Sequence, residues 1–193
     1  MNFDKKTAMS LFIAAIMILS VLGFVLVDSG DDNIKQKYGE QTFLRLPQGW
    51  RTTINGQQFV FNYFPEQLED IKLPQEITAI KQSPIIAFSY DPNNRYAEDL
   101  GALQYYFETT VTNKQRYIQR GLTNTTVYTT LPEITCKNAT QQLPVIVLNL
   151  NTKLNATNIH YKNNCITITA ERAQELYTTT DRLIYSFLGI MQP

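Results

Sequence analysis

Histidine occurs once in 193 residues, at His160, and cysteine twice, at Cys136 and Cys165. With a single imidazole, any Ser/His or Cys/His nucleophilic site would have to use His160, which lies beside a predicted strand in an asparagine-rich segment without an evident nucleophile. One histidine and two cysteines at no familiar ligand spacing give no pattern for a metal. The glycine motifs that cradle phosphates, G-x-x-x-x-G-K and G-x-G-x-x-G, are missing, as are the hydrolase signatures G-x-S-x-G and H-E-x-x-H. No cofactor is expected. An excess of charge is lacking too: 17 basic residues face 17 acidic ones with no Lys/Arg run, so the chain has no electrostatic footprint for nucleic acid.

Long apolar runs are absent except for one, residues 8–27, AMSLFIAAIMILSVLGFVLV, where Ser10 and Ser20 are the only polar side chains. Twenty such residues make a helix about 30 Å long, the thickness of a hydrocarbon core, so the spacing predicts a transmembrane helix in contact with membrane lipid. A cleaved secretory signal is the competing reading: Lys5 and Lys6 supply the basic start, and Val21 and Gly23 suit the positions before a cut. Against it, Phe24 to Val27 carry the apolar run past Gly23. A pilin-type leader would need a processing sequence near Lys6, and none is present. Flanking cations do not set the orientation, because Lys5 and Lys6 are matched by Lys35 and Lys37. The short tail 1–7, the acidic cluster Asp28, Asp31 and Asp32, and the prospect of a cystine downstream place the N-terminus in the cytoplasm and the rest outside. Secretion after cleavage is the alternative.

Residues 28–41 are polar and aperiodic and read as a tether. The remainder, 42–193, is long enough for one buried core. Alternation at Thr42 to Leu46 and at Arg51 to Ile54 leads into Asn55-Gly56, the strongest short hairpin signal, with Phe59, Phe61 and Tyr63 on one face of the return strand. Pro65 opens a helical turn, and Glu66, Glu69 and Asp70 read as a solvated face. Pro84 to Tyr90 fits a buried strand. Tyr96, Leu100, Leu103, Phe107 and Val111 recur at helical steps behind Asn94, a candidate cap. Asp91-Pro92-Asn93-Asn94 offers oxygen ligands to a hard cation, but it is also what a turn before a helix needs. Tyr117 to Leu122 completes a strand, helix, strand unit. Pro144 to Leu150 is a strong strand, and Ile159 to Tyr161 with Ile166 to Thr169 form a hairpin around Asn163-Asn164. A second helix, Glu171 to Met191, carries one wide apolar stripe that should cover one face of the sheet. The class is α+β or α/β: an N-terminal transmembrane helix, then one domain with a mixed sheet under two main helices.

Cys136 falls in the loop before one strand and Cys165 on another. In an oxidising compartment the two pair as one disulfide tying loop to sheet, and closing about 29 residues contributes roughly 3.5 kcal/mol in the chain-entropy estimate. Asn-X-Thr triplets at Asn124, Asn138 and Asn155 permit glycosylation without demonstrating it. With 15 Asn, 22 Thr and 6 Ser in the chain, chance alone gives about two such triplets.

The blocks Thr135-Cys136-Lys137-Asn138-Ala139-Thr140, Pro144-Val145-Ile146-Val147-Leu148, Asn164-Cys165-Ile166, Asp181-Arg182-Leu183-Ile184-Tyr185 and Leu188-Gly189-Ile190-Met191 together resemble the C-terminal region of small single-span archaeal surface proteins of unknown function. The resemblance implies an archaeal outer-surface setting and no particular activity. Asp181 and Arg182 lie in this block on the amphipathic helix; their plain reading is a salt-bridging pair at its boundary, and they are the first residues to mutate. The expected role is binding or structural, towards an envelope protein or a glycan. The alternatives are an extracytoplasmic hydrolase using a carboxylate pair such as glycosidases employ, and a pilin-like assembly subunit.

Overall fold

The computed structural model describes residues 9, 12–19, 34–112, 115–125, 130–154 and 156–193. The chain divides into two units, Met1–Lys35 and Gln36–Pro193. In the first, residue 9 and residues 12–19 are helical (α1). The other residues of the predicted 8–27 span lie outside the described residues, and among the described residues no helix is long and apolar enough to cross a membrane.

The second unit is a mixed α+β domain with two sheets where the sequence predicts one. The first sheet is antiparallel in the order β1 (Lys35–Tyr38), β2 (Gln41–Leu46), β3 (Gly49–Ile54), β4 (Gln57–Phe61). Its first strand lies inside the stretch 28–41 that composition reads as a tether; the polar KQKY of β1 has the profile of an exposed edge strand and not of a core one. The β3–β4 turn forms as Asn55-Gly56 predicts, with φ of 49° and 81°. Register places Phe43, Thr52 and Phe59 in one row and Trp50 and Phe61 in the next, all on the buried face.

The second sheet has the order β6 (Tyr117–Leu122), β5 (Ile85–Tyr90), β7 (Val145–Leu150), β9 (Cys165–Ala170), β8 (Asn158–Lys162); the first four strands are parallel and β8 is an antiparallel edge. The β8–β9 turn puts Asn163 and Asn164 at φ of 50° and 61°, a conformation asparagine tolerates better than most residues. A short helix, α2 (Ile77–Ile80), precedes β5; α3 (Ala97–Val111) joins β5 to β6, and α4 (Ala173–Phe187) follows β9.

The two main helices cover one face of the parallel sheet, as the stripe on α4 predicts, and they carry a second sheet on their other side. They form the middle layer. On one side Phe107 of α3 stacks on Phe88 of β5 at 4.5 Å, and α4 packs on β7 and β9. On the other, the Tyr185 ring of α4 lies 4.2 Å from Phe61 and 6.0 Å from Phe43 of the antiparallel sheet. Every residue of α4 from Thr179 to Phe187 is buried, so its polar stripe is enclosed together with its apolar one.

The far face of the parallel sheet is covered in part by a strap, residues 130–143. Leu122 N donates to Pro132 O and Ile134 N to Leu122 O, which extends the edge of β6. Ile134 packs with Ala87, Val145 and Cys165. The Cys136–Cys165 disulfide closes the strap onto β9, as the placement of the two cysteines predicts.

Candidate functional site

Asp181 and Arg182 are buried, and they do not pair at a helix boundary. Adjacent on α4, they reach in different directions. Asp181 faces the antiparallel sheet, where Oδ2 accepts from Asn62 N at 2.8 Å and Tyr63 N at 2.9 Å. Its Oδ1 accepts from the Tyr106 hydroxyl at 2.8 Å and from Asn62 Nδ2 at 3.4 Å. One turn on, the Tyr185 hydroxyl donates to Tyr63 O at 2.7 Å. The chain leaving β4 therefore finds its ladder partners on a helix. Arg182 donates from Nε to Ile71 O at 3.0 Å and from Nη2 to Gln192 O, fastening the segment after β4 and the C-terminal tail. Neither charge has an opposite charge bonded to it; hydrogen bonds alone offset part of the cost of burying each, and Arg182 Nη1 is left without a partner.

Burial raises the Asp181 carboxyl to about 6, and the bonds from Tyr106, Tyr63 and Asn62 pull it back down without cancelling that effect. Burial and the neighbouring Asp181 push the Tyr106 phenol upward, so it stays protonated and donates. A raised carboxylate is a signature of catalytic sites, yet Asp181 has no exposed surface, and four donors already occupy its oxygens. It functions as a clamp.

Glu175, a carboxylate that solvent does reach, stands on the first turn of α4 at the wall of an open groove of about 500 Å³ that Asp70, Lys72, Thr157, Glu171 and Arg172 also line. Thr157 Oγ1 donates to Glu175 Oε2 at 2.5 Å, Glu171 N to the same oxygen at 3.2 Å, and Arg172 to Oε1 through Nε at 3.0 Å and Nη2 at 2.6 Å. The Thr157 bond above all, and Arg172 further, hold this carboxyl below its ordinary value. A general acid needs the opposite shift. Glu175 instead anchors the loop before β8 to α4.

Parallel sheets bind ligands most often beyond the carboxyl ends of their strands, where neighbouring connections run in opposite directions; here that point lies between β5 and β7. Asn94 fills it, donating from Nδ2 to Leu150 O at 2.9 Å and to Asn149 Oδ1 at 3.3 Å. Its Oδ1 accepts from Tyr96 N at 3.0 Å, and Asp91 Oδ1 accepts from Asn93 N at 2.9 Å. The tetrapeptide Asp91 to Asn94 is thus committed to turns, and Tyr96, not Asn94, is the residue before the helix. Among the described residues no group of three or more His, Cys, Asp or Glu could hold a metal ion.

Of the three triplets, Asn138 is exposed on the strap, where its Oδ1 accepts from Thr135 N at 2.8 Å. Asn124 is half-buried at the end of β6, and Asn155 lies outside the described residues. His160 is exposed on the edge strand β8. Sequence reading missed the partners of Asp181: Asn62 and Tyr106 sit 119 and 75 residues from it, a separation no local pattern reveals. No family model, no curated protein and no solved structure matches the chain.

Proposed function

We propose that the chain is a single-pass membrane protein whose domain stands outside the cell and binds an envelope partner without transforming it. The Cys136–Cys165 disulfide carries this reading, since such bonds persist in oxidising compartments and are rare in the cytosol. The uncharged run 8–27 supports an anchor, and the resemblance of the Thr135 to Met191 blocks supports an archaeal surface setting. Binding is favoured over carboxylate catalysis because the two perturbed carboxylates have the wrong combinations of properties. Asp181 is raised but sealed; Glu175 is reachable but lowered and saturated with donors.

Intact mass of the protein from purified membranes, measured with and without reductant and alkylation, tests the reading. A mass near 22.2 kDa, with two thiols that alkylate only after reduction, is expected. Loss of about the first 23 residues, as signal cleavage would produce, removes the anchor, and thiols that alkylate without reductant remove the outside placement. Turnover of a glycosidic substrate that disappears in Glu175→Gln would replace binding with hydrolysis.

A further inference from the structure

A second cleft, of about 450 Å³, opens at the amino ends of the parallel strands. Pro84, Pro144 and Asn164 each stand one residue before a strand, β5, β7 and β9 in turn, and all three line it. Their carbonyls are used: Pro84 O accepts from Tyr117 N, Pro144 O from Ala87 N and Asn164 O from Val145 N. Proline has no N–H, so the floor at Pro84 and Pro144 offers ring carbons and no unpaired backbone donor. The exposed Ala79 of α2 extends that apolar floor, with Ile80 buried behind it.

The rim has a different chemistry. Gln82, Gln141 and Gln142 are exposed, and around them stand Ser83, which bonds Gln141 O at 3.4 Å, and Tyr161, whose hydroxyl reaches Asn164 Oδ1 at 3.4 Å. None of the residues described around this cleft is charged; Lys81 and Lys162, next in sequence to lining residues, are not among them. The groove beside Glu175 is by contrast lined by charges of both signs.

We propose that this cleft binds a short uncharged oligosaccharide. Carboxamides donate and accept at once, as vicinal hydroxyls require, while the exposed Pro84 ring and Ala79 methyl suit the C–H face of a pyranose ring. The absence of charge spares both partners the desolvation that an ionic site imposes on a neutral ligand. The volume falls within the range of about 300–1,000 Å³ typical of small-molecule sites. This inference rests on the extracytoplasmic reading, for it is there that the domain would meet envelope glycans.

Saturation-transfer NMR on the full-length chain in lipid nanodiscs tests it, with mannotetraose, maltotetraose and N-acetylchitotetraose as neutral probes, a heparin tetrasaccharide as the charged one and an uncharged tetrapeptide as the protein-like one. At least one neutral probe should bind with a Kd of about 1 mM or tighter, and the double variant Gln82→Ala, Gln142→Ala should weaken it by about tenfold or more. Both glutamines are on the surface, so the variant keeps its fold, which its thermal unfolding checks. Binding of the free tetrasaccharide points to a wall or soluble glycan; binding only when the same sugar is displayed on a lipid points to a glycolipid. No transfer from any neutral probe, whether free or displayed on a lipid, transfer unchanged by the double variant, or preference for the peptide or the charged sugar overturns the assignment. A domain found outside the cell that ignores all three sugars loses this inference alone, whereas free thiols in the mass measurement remove the extracytoplasmic reading whatever the sugars do.

Discussion

Asp181 and Tyr185, one helical turn apart on α4, grip the two backbone polar groups of a single residue, the amide of Tyr63 at 2.9 Å and its carbonyl at 2.7 Å. Removing the carboxylate takes the acceptor from the amides of Asn62 and Tyr63, whose bonds to it are partly buried, and a partner from Tyr106. Each unsatisfied buried group costs about 1–3 kcal/mol, so Asp181→Ala should lower unfolding stability by about 3–5 kcal/mol. Asp181→Asn, which keeps one acceptor oxygen for the two amides, should cost less than half of that. Urea titrations of both variants decide it, and equal losses would show that the bonds are not what matters.

The same residue makes stability depend on pH. Burial raises Asp181 from 3.8 to about 6, so the folded state binds its proton more tightly than the unfolded state does. Its contribution is therefore full below about pH 4 and is lost as pH rises through about 6, by about 3 kcal/mol in all. Glu175 has the opposite sign: its lowered value adds stability above the ordinary carboxylate range that disappears on acidification. Subtracting the pH profile of Asp181→Asn from that of the native chain isolates the first effect. Parallel profiles between about pH 4 and pH 7 would refute it.

Reduction should loosen the strap. Opening a closure of 29 residues removes about 3.5 kcal/mol in the chain-entropy estimate, and the Cys136→Ser, Cys165→Ser variant should match the reduced native protein. Denaturation midpoints with and without reductant measure the loss, and a midpoint indifferent to reductant would contradict it.

Gly121 marks where the strap meets β6. A Cβ there would lie 2.7 Å from Ile134 Cδ1 and 2.8 Å from its Cβ, too close for either side to stay in place. Gly121→Ala should push the strap outward, cost about 1–3 kcal/mol and expose residues 130–143 to limited proteolysis while the disulfide remains closed. An unchanged cleavage pattern would mean that the strap is not seated through Ile134.

How much of this could be read from the sequence depended on distance along the chain. Asn55-Gly56 and Asn163-Asn164 encode their turns in two residues, because the backbone conformations they need are local, and both hairpins formed where expected. The unit β5, α3, β6 was equally legible from its switch in period. The separation into two sheets was not, since nothing in Gln57 to Tyr63 says which strands it will avoid. The alternation of Phe59, Phe61 and Tyr63 carries the return strand as far as Tyr63, whereas β4 stops at Phe61, where the backbone turns its amides to Asp181. In α4 Asp181 and Arg182 read as a pair at the helix boundary; their burial depends on Asn62, Tyr106 and Ile71, which only the tertiary fold brings near.

The place of α4 has a consequence for biosynthesis. It is the middle layer of the domain, yet the ribosome makes it after every strand that flanks it. Until residues 173–187 emerge, Phe43 and Phe61 lack the Tyr185 ring they pack against and β7 and β9 lack the helix that covers them, so neither sheet is complete before α4 is made. The domain should close on its core only once α4 is available, and any truncation that removes α4 should leave two sticky half-structures in place of a smaller stable one.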